Sequence, residues 1–171
     1  RGVDTDLFNP ARRSMELRHS WGVSRNGLVA VYVGRLAAEK NLEAVVDAFD
    51  AMSARHPRAK LVWVGDGPQR SVLQARNPGH VFAGMQTGIG LAEHYASADV
   101  FLFPSLTETF GNVTLEAMAS GLAVVAYNYA AAAEHIHHGE NGLVAEFDNL
   151  SLFCDQAAIL AGRPEMIARL G

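Results

Sequence analysis

One cysteine in 171 residues, Cys154, leaves no partner for an internal disulfide, so a cross-linked secreted scaffold is excluded and a reducing compartment suits the chain. Long hydrophobic runs are missing as well. None approaches the roughly 20 apolar residues that a bilayer-crossing helix needs, and no segment has the charged, apolar and small-residue succession of a signal peptide. Charge is sparse and slightly acidic: 19% of residues are charged, 18 acidic against 14 basic, for a formal net charge of −4. A basic stripe with interleaved aromatics, the footprint of a nucleic-acid binder, does not occur, so nucleic acid is not expected as a partner. Nor is there a complete dinucleotide fingerprint. Gly88-Ile89-Gly90 and Gly65-Asp66-Gly67 lack its third glycine and its place after the first strand.

What is present is an alternation of short apolar runs with amphipathic stretches. With 49% hydrophobic residues and 16 glycines, the chain is long enough to bury one real core. Continuously apolar runs at Leu28 to Gly34, Leu61 to Gly65, Val81 to Ala83, Val100 to Phe103 and Ala123 to Ala126, with a weaker one at Leu143 to Ala145, read as buried parallel strands. Between them, Leu42, Val45, Val46, Phe49 and Met52 form one helical stripe ended by Pro57. Val72 and Leu73 fall in a helix opened by Gly67-Pro68, and Leu91, Tyr95 and Ala98 line another. Strand and helix in this rhythm predict right-handed crossovers and a Rossmann-like, doubly wound parallel α/β sheet of about six strands. Ligands of such sheets bind beyond the carboxyl ends of the strands.

The loops after the strands carry the polar chemistry. Seven residues separate Glu108 from Glu116 in FPSLTETFGNVTLEAMASG. Glu108 falls in a polar loop after Pro104, Glu116 one turn into a helix starting near Asn112. A helix opening at Gly111-Asn112 directs free N–H groups and a positive dipole end at whatever sits before it, which suits a diphosphate, while two carboxylates suit sugar hydroxyls. The spacing alone favours a capped helix with two solvated glutamates. After the first strand, Gly34 to Lys40 places Arg35 and Lys40 where a phosphate fork and a mobile point charge can flank an anion; two plain surface cations are the alternative. Gly65-Asp66-Gly67-Pro68 is a tight turn, and Gly84-Met85 follows the third strand.

The order of these pieces, from GVDTDLFNP through VGRLAAEKNL, GDGP, FAG, ADVFLFPSLTETFGNVTLEAMASG and EHIHHGENGLV, resembles the donor-binding half of retaining family 4 glycosyltransferases, over nearly the whole chain. The resemblance implies the C-terminal half of a GT-B fold, with residues 1–171 as the nucleotide-sugar donor-binding domain and 1–20 as its interdomain linker. An N-terminal acceptor domain would precede Arg1, and the chain reads as an excised piece, inactive in transfer by itself. In that family Arg35 and Lys40 match the cations that stabilise the leaving diphosphate, and Glu108 the acid that contacts the donor sugar. Thr109, Phe110, Gly111 and Asn112 match the stretch that touches sugar and phosphate, Glu116 the partner of the ribose hydroxyls, and Met85 the residue beside the nucleobase, with Gly34 at the phosphate loop. The donor would be a UDP-, GDP- or ADP-sugar, with no cofactor or metal required, and the protein would be cytoplasmic. The passages YASADVFLFPSLTETFGNV and AYNYAAAAEHI look most like bacterial enzymes that glycosylate lipids, which implies peripheral contact with the inner membrane face through the other domain.

This chain departs from the family's pattern at Ala123, where relatives often have proline, and at Ala130 to Ala133, where many show a glycine pair before Glu134. Other readings compete with sugar transfer: a nucleotide-sugar-binding module without turnover, a sugar-nucleotide epimerase of the same architecture, or a glycosidase carboxylate pair, which would need an acid of raised pKa that the sequence does not supply. Asp4-Thr5-Asp6 spells a metal-binding D-x-D pattern but precedes the first strand, and His135, His137 and His138 precede Gly139 near a helix end, where structural histidines are common.

Overall fold

The structure, a computed structural model, describes residues 3–24, 26–104, 112–127, 143–145 and 149–170, and the side chains of all of these except 112, 144 and 169. Six parallel strands form its sheet: β1 (Val29–Val33), β2 (Lys60–Val64), β3 (Val81–Gly84), β4 (Val100–Phe103), β5 (Ala123–Tyr127) and β6 (Leu143–Ala145). Their spatial order is β3-β2-β1-β4-β5-β6. From β1 the chain steps outward to β2 and β3, returns to the other side of β1 for β4, and proceeds outward again. Right-handed crossovers then put the helices of the two halves on opposite faces, so the loops after β1 and β4 diverge and leave a crevice.

The helices are α1 (Met15–Ser20), α2 (Leu42–Arg55), α3 (Arg70–Arg76), α4 (Gly88–Ala96), α5 (Asn112–Ala119), α6 (Leu150–Ala161) and α7 (Pro164–Leu170). The stripe expected on α2 is buried at Leu42, Val45, Phe49 and Met52, and α2 and α6 pack on one another. Within β1 and β5 every residue is buried, as sheets covered on both faces require. An aromatic row crosses the sheet: Phe82 stacks on Trp63 (6.1 Å between centroids), Trp63 meets Tyr32 (5.6 Å), and Tyr32 stacks on Phe103 (6.0 Å). Among the described residues, no helix is long and apolar enough to cross a membrane.

Two helix bounds differ from the sequence expectation. Gly67-Pro68 does not open α3, because the chain is still turning there: the Gln69 N–H reaches the Leu36 carbonyl (2.8 Å), and the helix begins at Arg70. Ala98 lies beyond α4, where its N–H donates to the Tyr95 carbonyl (3.1 Å) after the helix has ended at Ala96.

Residues before β1 are fastened to the amino ends of the strands. Asp99 receives Arg13 on Oδ1 (3.0 Å), and on Oδ2 both Arg18 (3.3 Å) and the Val29 N–H (2.9 Å). Arg18 is 2% exposed and also donates to the Ser97 and Gly27 carbonyls, at 2.8 Å each. A cavity of about 340 Å³ opens at this end, lined by Arg13, Asn26, His56, Asp99 and Ser120 among apolar residues.

Candidate nucleotide-sugar site

A second cavity, about 570 Å³, lies at the carboxyl ends of the strands, where this topology places ligands. Its lining includes Gly34 and Arg35 after β1, Gly65, Asp66 and Gly67 after β2, Met85 and Gln86 after β3, Leu91 on α4, and Val113 and Glu116 on α5. Four residues singled out in the sequence, Gly34, Arg35, Met85 and Glu116, therefore share one cleft. Lys40 does not line it. It ends a short 3-10 turn at Ala38–Lys40, next to Asn41.

Glycines make the floor of this cleft. Gly34 (φ +152°) and Gly65 (φ +143°) abut directly: a Cβ on Gly65 would lie 1.9 Å from the Gly34 carbonyl oxygen, and one on Gly67 (φ +156°) 2.5 Å from that of Leu36. Only glycine adopts these backbone angles without a clash. Backbone hydrogen bonds stitch the loops together, from Gly34 N–H to Val64 O (3.0 Å), Leu36 N–H to Asp66 O (3.0 Å) and Gly65 N–H to Gly84 O (2.9 Å). The Tyr32 hydroxyl supports the cation loop from below, donating to the Arg35 carbonyl (3.3 Å).

Asn41 links this loop to the next one. It caps α2 in the left-handed conformation (φ 60°), which asparagine tolerates better than most residues, and its side-chain amide donates to the Pro104 carbonyl at 3.0 Å. The turn carrying Lys40 is thus anchored at the root of segment 105–111. Glu108, Thr109, Phe110 and Gly111 lie outside the described residues, as do Ala130 to Ala133, Glu134 and the histidines at 135, 137 and 138. Asn112 is the first residue of α5.

Of the two glutamates, Glu116 is the one whose surroundings are described. Its Oε1 accepts a hydrogen bond from the Tyr95 hydroxyl at 2.8 Å. Burial pushes the carboxyl pKa of Glu116 up from the ordinary range, and the Tyr95 hydrogen bond pulls it back. Burial, the nearby carboxylate charge and the bond to it together hold the Tyr95 phenol well above its usual value, so the tyrosine keeps its proton and donates. Sequence reading placed Tyr95 on a helix stripe only. Asp66, read as part of a turn, has that role, with Oδ1 accepting from the Gly67 N–H (2.8 Å), and in addition pairs with Arg70 through Oδ2 (3.2 Å). In the D-x-D stretch, Asp4 Oδ1 accepts from the N–H groups of Asp6 (3.0 Å) and Leu7 (3.2 Å).

A doubly wound sheet with a glycine-floored cleft at its reversal point is the architecture of the nucleotide-binding α/β proteins. Residues 27–162 match the family described as "Glycosyl transferases group 1", and the chain belongs to that family. It is 39% identical over 146 residues to a GDP-mannose-dependent alpha-mannosyltransferase of Corynebacterium glutamicum, covering 85% of this chain and 34% of that protein. Over 130 residues it is 44% identical to the sulfoquinovosyl transferase SQD2 of Arabidopsis thaliana, covering 74% of this chain and 24% of the other. The chain therefore spans about a third or less of the length of these relatives. Among solved structures, the C-terminal domain of a glycosyl transferase group 1 protein from Francisella tularensis superposes with a TM-score of 0.83 at 23% identity, covering 99% of this chain and 92% of that one. Anabaena HepE in complex with UDP-glucose matches with a TM-score of 0.81 at 25% identity, covering 99% of this chain and 48% of that one. The fold is the Rossmann-like C-terminal half of a GT-B glycosyltransferase.

Proposed function

We propose that this chain is the donor-binding domain of a retaining family 4 hexosyltransferase, which holds a nucleotide diphosphate sugar while the sugar passes to an acceptor hydroxyl of a lipid or glycan. One observation carries the reading: Gly34 and Arg35 after β1, Met85 after β3 and Glu116 on α5, from three separate segments, line a single cleft at the carboxyl ends of the strands. The names of the relatives support it, since one uses GDP-mannose and a structural neighbour binds UDP-glucose.

In this reading the diphosphate lies over the glycine floor, where the absence of Cβ atoms lets phosphate oxygens approach the backbone. Arg35 in the cleft wall, and Lys40 reaching in from the turn that follows it, stabilise the negative charge that grows on the diphosphate as the glycosidic bond to it breaks, and the first N–H groups of α5 add to that field. Glu116 accepts from ribose hydroxyls, Met85 lies beside the base, and Glu108 with the stretch Thr109 to Asn112 orients the sugar. Acceptor binding belongs to a partner domain, so this domain alone binds donor without efficient transfer.

Calorimetric titration of UDP, GDP and ADP tests the proposal and ranks the bases. A charge-assisted contact contributes on the order of 1.5 to 3 kcal/mol, so Arg35→Ala and Lys40→Ala should each weaken diphosphate binding about tenfold or more while the fold stays intact. Undiminished affinity in both variants would refute the site.

A further inference from the structure

We infer that Tyr95 is a positioning residue for the nucleotide's sugar: its buried hydroxyl holds one oxygen of the Glu116 carboxylate so that the other faces the cleft to receive the vicinal ribose hydroxyls. The inference rests on the donor-binding reading above and adds a residue to it from a different helix, 21 positions away in the chain.

Tyr95 is fully buried, at 0% exposure. Its ring stands edge-on to Phe8 (centroids 5.7 Å apart, planes at 83°) and to Phe101 (6.1 Å, 65°), so one residue from the segment before α1 and one from β4 fix where the hydroxyl points. Aromatic side chains packed this way have few rotamers to lose, and the phenol is a rigid donor. A glutamate has three side-chain torsions and, half-buried at a cleft wall, would otherwise sample several orientations. The bond at 2.8 Å selects one. Oε2 has no hydrogen-bond partner among the described residues, and the neighbouring Ser120 hydroxyl is committed to the Glu116 main-chain carbonyl (2.8 Å), not to the carboxylate. A carboxylate oxygen accepts hydroxyl protons well only when ionised, and the tyrosine O–H stabilises that form against the burial that opposes it.

The test compares GDP and UDP with their 2′,3′-dideoxy analogues by calorimetry on the intact protein, in wild type, Glu116→Gln and Tyr95→Phe. Phenylalanine keeps the ring and its packing, and thermal unfolding verifies that each variant is folded. The wild type should prefer the ribonucleotide about tenfold. Tyr95→Phe should lose most of that preference by weakening only the ribonucleotide, at least about fivefold, with the dideoxy analogue bound as before. A Tyr95→Phe variant that keeps the preference while Glu116→Gln loses it would overturn the inference and leave the donor site standing. Equal weakening of both nucleotides would overturn it too, as a merely structural role predicts. A wild type that binds none of these nucleotides would overturn the donor-binding reading itself.

Discussion

At the amino ends of the strands the Asp99 carboxylate is largely occupied: two arginines and a backbone N–H donate to its oxygens, and the buried Arg18 is in turn bonded to two carbonyls. At the carboxyl ends the Glu116 carboxylate, among the described residues, holds a single tyrosine bond, and glycines stand where side chains would fill the space. Both ends deploy carboxylates and arginines, and both enclose a cavity. The difference lies in how many hydrogen-bonding positions the protein itself consumes. A charge network that the protein mostly fills specifies how the chain packs; a carboxylate with an open oxygen beside bare backbone is open to a ligand.

Three perturbations would break or sharpen this contrast. The largest effect is expected from Asp99→Ala, which leaves Arg18, 2% exposed, without its counter-charge. Stranding a buried ion in this way costs about 3 to 5 kcal/mol, to be read by urea unfolding, while nucleotide affinity of the folded protein stays within about twofold. A loss below about 1 kcal/mol would mean that the amino-end network is not structural. Gly65→Ala should come next, since its methyl group collides with the Gly34 carbonyl. Overpacking of this kind costs about 1 to 3 kcal/mol, and it should weaken diphosphate binding as well because both loops must separate. Stability lost with affinity intact would divorce the glycine floor from the ligand.

The smallest effect concerns His80, a third polar group committed near the amino end of its strand. Its Nδ1 accepts from the Trp63 indole at 3.1 Å, and burial lowers its pKa below the ordinary 6.5. The folded state therefore favours the neutral ring, so this contribution is fully present above about pH 6.5 and is lost as pH falls through the depressed value. Stability should decline across that interval, and His80→Gln, which retains an acceptor without a proton to gain, should flatten the decline. An identical acid slope in both proteins would exclude His80 as its source.

Much of the fold was legible because parallel strands buried on both faces are continuously apolar. Leu28 to Gly34 and Ala123 to Ala126 announce β1 and β5 to within a residue or two. The reversal between β1 and β4 is not written in any one segment, since it depends on which edge each crossover takes. Arg35 and Glu116 could be flagged by their place after a strand and inside a helix, and they do share a cleft. The Tyr95 to Glu116 bond was not legible, because a helix stripe of apolar positions gives no sign that its aromatic member ends in a hydroxyl aimed at another helix. The same holds for Asp99: a lone aspartate before a strand reads as a turn residue until the fold delivers Arg13 and Arg18 to it. The abutment of Gly34 and Gly65 likewise joins two turns that each look self-sufficient.

That abutment has an evolutionary corollary. Where two main chains touch with no atoms to spare, mutation has nothing to vary, so the centre of the cleft is closed to gradual change. Room for change lies at the margin, at Met85, which is 72% exposed and whose exchange costs the fold little. A scaffold arranged in this way can change what it prefers at the rim without disturbing its centre.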